Sequence, residues 1–209
     1  MKIAVVSSNG KASRAIVAEL IAHDHEVTGF ARGENKSAAQ NFVQKDIMAL
    51  SKEDLAGFDA VVDGFGAYTP ETLSLHTQTS QHLADLVAGR TTRLYIVGGA
   101  GSLYVDAEHR VQLLDTPDFP AEFYPLAKAQ TEELAALRSR TDAKWVFVSP
   151  AADFRADGEK SGKYILGGEE LTLSGAGESI ISYADYAVGM VDLIESGAHI
   201  GERVSLVQA

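Results

Sequence analysis

Tyr124 and Lys128 stand four residues apart in the stretch EFYPLAKAQ, residues 122 to 130. At helical spacing their side chains reach the same point, and an ammonium beside a phenol favours the phenolate. The pair therefore has the chemistry of a proton donor, Tyr124, and its tuner, Lys128. Ser102, in VGGAGSLYVD (97 to 106), follows an apolar run and is placed to hydrogen-bond a substrate carbonyl. By residue type these three make up the Ser–Tyr–Lys set of a carbonyl reductase.

A second chemistry is written at the N-terminus, in VVSSNGKAS, residues 5 to 13. Where a strand hands over to a phosphate-binding helix, backbone N–H groups face the pyrophosphate and glycines let the chain approach closely. Three glycines are expected in such a turn, and only Gly10 is present. Ser7 and Ser13 take the outer places with the smallest side chains that carry a hydroxyl, while Ser8, Asn9 and Lys11 add donors. The alternative is an ordinary strand-to-helix turn with Ser13 as its N-cap.

In the next strand-like run, GFARGENK (29 to 36), Arg32 stands where an NAD-preferring site carries a carboxylate for the ribose 2′-hydroxyl. With Lys36 nearby, this cation suits a 2′-phosphate, so NADP(H) is expected over NAD(H). Asp46 either binds the adenine amino group or caps a turn. Gly64 and Gly66, in DGFGAYTP (63 to 70), admit a flat ring beside the end of a fourth strand, or simply make a turn.

Regular elements must bring these residues together. Apolar, β-branched runs at 2–7, 25–31, 42–47, 59–65, 93–99 and 144–150 alternate with helical patterns at 13–23, 73–88 and 125–139. Such alternation predicts βαβ units and a doubly wound α/β fold with a parallel sheet. Ligands bind such sheets at the carboxyl ends of the strands, where strand order reverses. Residues 151–209 are richer in Gly, Ser and charge. They predict a small substrate-side lobe with strand-like pieces at 164–166 and 171–173, a helix at 183–195 and a closing strand at 203–207. In that lobe Ser182 reads as a helix cap, with Asp185 in the first turn.

Composition narrows the function. A formal charge of −11, from 18 Lys+Arg against 29 Asp+Glu, and the lack of a basic stripe argue against a nucleic-acid partner. No cysteine is present, which removes disulfides, thiolate metal sites and cysteine nucleophiles, and the six histidines follow no metal-ligand pattern. No apolar run reaches the length of a membrane span, and the N-terminal apolar run is too short for a signal-peptide core, so a cytoplasmic protein is expected.

With these residues in view the chain resembles the atypical short-chain dehydrogenase/reductases, and within them the NmrA-like, NADH-flavin reductase-like proteins related to biliverdin reductase B. The likeness runs nearly end to end. It is carried by VGGAGSLYV, LLDTPDFPAEF (113 to 123), VSPAADF (148 to 154), GKYILGG (162 to 168) and GESIISYADYAVGMVDLIE (177 to 195). The resemblance implies a Rossmann-type sheet, an NADP(H) or NAD(H) cofactor and reduction of flavins, quinones or similar acceptors. It places the glycine-rich turn on Ser7, Asn9, Gly10, Lys11 and Ser13, and the 2′-phosphate cation on Arg32. It adds post-strand contacts at Gly64, Phe65, Gly66, Gly98, Gly99 and Ser102, with Pro150 to Phe154 lining the nicotinamide and substrate side. The two missing glycines are a departure from the group.

The function expected is NADPH-dependent hydride transfer to a small conjugated acceptor, with a non-catalytic NADP(H)-binding redox sensor as the alternative. A sugar-nucleotide epimerase or isomerase also fits Tyr-x-x-x-Lys but suffers from the short C-terminal lobe.

Overall fold

The computed structural model describes residues 1–209. Strands β1 (Lys2–Val6), β2 (Glu26–Ala31), β3 (Asn41–Gln44), β4 (Ala60–Asp63), β5 (Arg93–Val97), β6 (Lys144–Ser149), β8 (Tyr164–Gly167) and β10 (Glu202–Gln208) form one sheet. Its order is β3-β2-β1-β4-β5-β6-β10-β8, and every neighbouring pair is parallel except β10 with β8. The chain reverses its direction of sheet growth between β1 and β4. Two three-residue strands, β7 (Asp153–Arg155) and β9 (Ile180–Ser182), pair in parallel outside it.

Helices α1 (Lys11–Ala22) and α4 (Tyr183–Ser196) pack together on one face of the sheet, and α2 (Leu75–Val87) and α3 (Tyr124–Arg138) on the other. Both faces of the sheet are covered, so its strands are continuous apolar runs. Along β1, Ile3 and Val5 enter the α1/α4 core while Ala4 and Val6 enter the α2/α3 core, as the two-residue period of a strand requires. Ile16, Val17 and Leu20 of α1 lie at 0% exposure, each contributing roughly 1.5–3 kcal/mol by its burial. No helix is long and apolar enough to cross a membrane.

The third strand ends at Gln44, earlier than its apolar run predicted, because Asp46 caps a 3-10 turn over Ile47–Ala49 by accepting the Met48 N–H at 2.9 Å. Residues 171–173 are not a strand: Leu171 N–H donates to the Tyr104 carbonyl at 2.8 Å, but only a single bridge, Tyr104 with Glu170, forms beside it. Much of the expected C-terminal lobe instead completes the core, since α4 packs on α1 and β10 extends the sheet beyond β6. Ser182 does cap α4, its Oγ accepting the Asp185 N–H at 3.0 Å, and Gly197 closes the helix at φ 65°.

Candidate functional site

A cleft of about 520 Å³ opens at the carboxyl ends of β1, β2 and β4, where the strand order reverses. Ser7, Asn9 and Gly10 form its floor, Arg32, Lys36 and Asp46 one rim, and Gly64, Phe65, Gly66 and Tyr68 the other. Gly10 is the N-cap of α1, with no side-chain bond to the helix, so the leading N–H donors of α1 stay open toward the cleft. That is a cradle for an anion, and residues at both rims fit the sugar ends of a dinucleotide.

The two absent glycines are accounted for separately. Ser7 occupies the left-handed region at φ 58°, the conformation a first glycine supplies without strain. Its carbonyl accepts the Gly10 N–H at 3.1 Å, which holds the turn closed. Ser7→Gly is therefore expected to raise stability by about 1 kcal/mol, read as a higher urea midpoint at unchanged slope. Ser13 is 1% exposed, facing β4 rather than the cleft. A Cβ on Gly64 would run into its Oγ, so the close helix–strand approach that a third glycine permits is obtained from the other side.

The Asn9 side chain links two loops. Its Nδ2 donates to the Glu34 carbonyl and its Oδ1 accepts the Lys36 N–H, both at 2.8 Å. It thereby ties the loop carrying Arg32 and Lys36 to the phosphate turn. Arg32 itself is extended into solvent, its side chain 82% exposed and its Nε 3.9 Å from Asp46 Oδ2. Asp46 spends Oδ1 on its cap, so of the two readings of that residue the turn is visible directly. Lys45, also at the cleft, is paired with Asp54 at 2.6 Å.

No hydrogen bond joins Ser102, Tyr124 and Lys128. Tyr124 is 42% exposed at the first turn of α3, and Lys128 is exposed one turn later, with neither lining the cleft. The buried residues Ala127, Leu134 and Leu137 define the inward face of α3 and leave that pair on the outside. Ser102 is buried, its Oγ accepting from Arg203 Nη1 at 3.4 Å. Gly98 and Gly99 also serve packing: a side chain at Gly98 would enter the Phe147 ring and one at Gly99 would meet Gln130. Pro150 is buried, while Lys11 is exposed beside the turn without lining the cleft.

Sequence reading missed a group of buried polar residues beneath the β4 turn. Asp63 accepts the Phe65 N–H on Oδ1 at 2.9 Å, while its Oδ2 is buried and unpartnered. Burial pushes its carboxyl up to about 6, despite that hydrogen bond. His76 on α2 and Glu133 on α3 are each 2% exposed and face one another across this space. The signal available in sequence was a polar residue on each apolar helix face, which by itself does not reveal that three elements converge. Tyr68 was likewise missed; it is 78% exposed and projects at the cleft mouth.

No protein-family model matches the chain. The uncharacterized protein YwnB of Bacillus subtilis (strain 168) is 40% identical over 210 residues, spanning 99% of this chain and 98% of YwnB. The crystal structure of SP1627 from Streptococcus pneumoniae TIGR4, a candidate NADH-flavin reductase, is 55% identical and superposes over 100% of both chains with a TM-score of 0.98. A candidate epimerase from Bacteroides thetaiotaomicron is 30% identical, with a TM-score of 0.86 over 99% of this chain and 96% of its own.

Proposed function

Since the chain belongs to the NmrA-like, NADH-flavin reductase-like group of the atypical short-chain dehydrogenase/reductases, we propose that it is an NADPH-dependent oxidoreductase acting on a flavin, quinone or similar conjugated acceptor. The observation that carries the reading is the open N-terminus of α1 at the β1/β4 switch point, with Arg32 and Lys36 at one rim of the cleft and Gly64, Phe65 and Gly66 at the other. When bound, the nicotinamide supplies the hydride. The protein's own residues then bind and orient: the α1 N–H groups and Gly10 take the pyrophosphate, and Arg32 with Lys36 takes the 2′-phosphate. Phe65 and the glycines beside it leave room for the ribose and a flat ring.

A conjugated acceptor accepts hydride without a dedicated acid beside it, and the proposal leaves Tyr124, Lys128 and Ser102 outside the reaction. An epimerase reading would need a tyrosine–lysine pair at the cofactor. The outward position of Tyr124 and Lys128 weighs against it.

Arg32→Ala is expected to weaken NADPH binding about tenfold, the loss of one charge-assisted contact at an exposed rim, and to leave NADH unchanged. Titration of both nucleotides by their fluorescence checks this. Equal weakening of both would remove Arg32 from 2′-phosphate recognition. Turnover of NADPH with free flavin or a soluble quinone tests the reaction itself; unequal affinity for the two redox forms without turnover would favour the sensor.

A further inference from the structure

His76 lies beneath the cleft-lining turn 64–67, and its Nε2 faces both polar groups of Ala67. The Ala67 carbonyl is 3.1 Å away and the Ala67 N–H nitrogen 3.3 Å. One ring nitrogen cannot donate to the first and accept from the second at the same time, so the tautomer decides which bond exists. On the opposite side of the ring, Nδ1 is 3.8 Å from Glu133 Oε2, a buried oxygen with no hydrogen-bond partner. The other end of the turn is fastened by Asp63 through the Phe65 N–H, and the Phe65 ring meets His76 edge-on at 5.5 Å and 77°. Phe65 and Gly66 both line the cleft.

We propose that His76 is a positioning residue for the dinucleotide, and that Glu133 selects its tautomer. With Glu133 neutral, its O–H is directed at Nδ1, and Nε2–H donates to the Ala67 carbonyl. That bond and the Asp63 bond together fix the turn against which the ribose and nicotinamide side rests. With Glu133 ionised, its carboxylate requires a donor, the proton moves to Nδ1, and Nε2 becomes an acceptor for the Ala67 N–H, releasing the carbonyl. The inference rests on the cofactor reading above.

The electrostatics favour the first state near neutral pH. Burial, and secondarily the nearby Asp63, push the Glu133 carboxyl well above the usual carboxylate range, against a hydrogen bond from Ser80. Burial lowers the His76 imidazole, which keeps the ring neutral, although its bond to Ala67 opposes this. The groups that face the pair are thus Asp63 from β4 and Ser80 from α2. Neither supplies a cation to stabilise an ionised Glu133.

Two measurements test this. Long-range nitrogen–proton NMR on the cofactor-free protein at pH 7 is expected to give the Nε2–H pattern for His76, and an Nδ1–H pattern would overturn the proposal. NADPH titrations from neutral pH upward are expected to show the wild-type Kd rising about tenfold as Glu133 ionises, a coupling of ordinary size between two linked sites. In Glu133→Gln the amide offers its N–H to Nδ1 at every pH, so the profile flattens. A wild-type profile that is already flat, or an equal alkaline rise in Glu133→Gln, sinks the idea. Failure of NADPH to bind at any pH would instead refute the cofactor reading, and the NMR result would still decide the tautomer.

Discussion

Gly64→Ala is expected to destabilise the protein by about 2–3 kcal/mol and to weaken NADPH binding together with it, because the new methyl group has nowhere to go. It would run into Ser13 Oγ and lie 3.2 Å from Ser13 Cβ and 3.3 Å from the Val6 carbonyl. Neither neighbour is the free end of a flexible chain: Ser13 sits in the first turn of α1, and Val6 closes β1. Relief therefore has to come from moving the helix N-terminus, which is the part of the cleft that faces the pyrophosphate. Ser13→Gly is expected to rescue part of both losses, leaving the contact with Val6. A double-mutant cycle by urea unfolding measures the coupling, expected at about 1–2 kcal/mol for residues in contact. Additive losses would mean that Ser13 and Gly64 do not share one space.

Asp63→Asn should stabilise the protein at neutral pH, by up to about 3 kcal/mol. The sign follows from burial. The carboxyl is ordinary in the unfolded chain, at 3.8, and is raised to about 6 when folded. The folded state therefore holds a proton that the unfolded state releases as pH rises from 3.8 to 6, and wild-type stability falls over that window. A shift of this size corresponds to roughly 3 kcal/mol. Asparagine keeps an oxygen for the Phe65 N–H and carries no charge into the core, although its Nδ2 takes the place of the unpartnered Oδ2. Urea unfolding of both proteins from pH 3.5 to 8 is expected to give curves that diverge between pH 4 and 6 and run parallel above. Curves parallel throughout would show that Asp63 is solvated in the folded protein. A buried carboxyl retained at such a cost, at the foot of a cleft-lining turn, is what a site-positioning role would explain.

The elements differ in how far they could be read from the chain. The six parallel core strands and four helices were legible because each is covered on its apolar face or faces, and that covering leaves a period in the sequence. Strand β8 was legible as a strand but not as the antiparallel edge of the main sheet, since nothing local distinguishes an edge of one sheet from a piece of another. The three-residue strands β7 and β9 are too short to leave a period at all. Within the site, the phosphate turn was placed by its position after the first strand, and Arg32 by its position after the second. Both line the cleft.

The Ser–Tyr–Lys reading shows where local spacing stops being informative. A separation of four residues guarantees that Tyr124 and Lys128 share a face of α3; it does not say which way that face points. The apolar residues Ala127, Leu134 and Leu137 take the inward side, and the pair is left outward. Ser102 was in reach by sequence order, yet Arg203, a hundred residues further on, holds its hydroxyl.

The sequence by itself determined the parallel α/β sheet, the strand ends that had to be examined and the cation beside the second strand, because periodicity and strand-end position are local properties of the chain. Only the tertiary structure decided that Ser13 and Gly64 exchange the role of a glycine, that Asn9 joins two loops, and that Asp63, His76 and Glu133 meet beneath the cleft. Those outcomes depend on distances between residues far apart in sequence, which packing of α1, α2 and α3 against the sheet sets and no local pattern encodes.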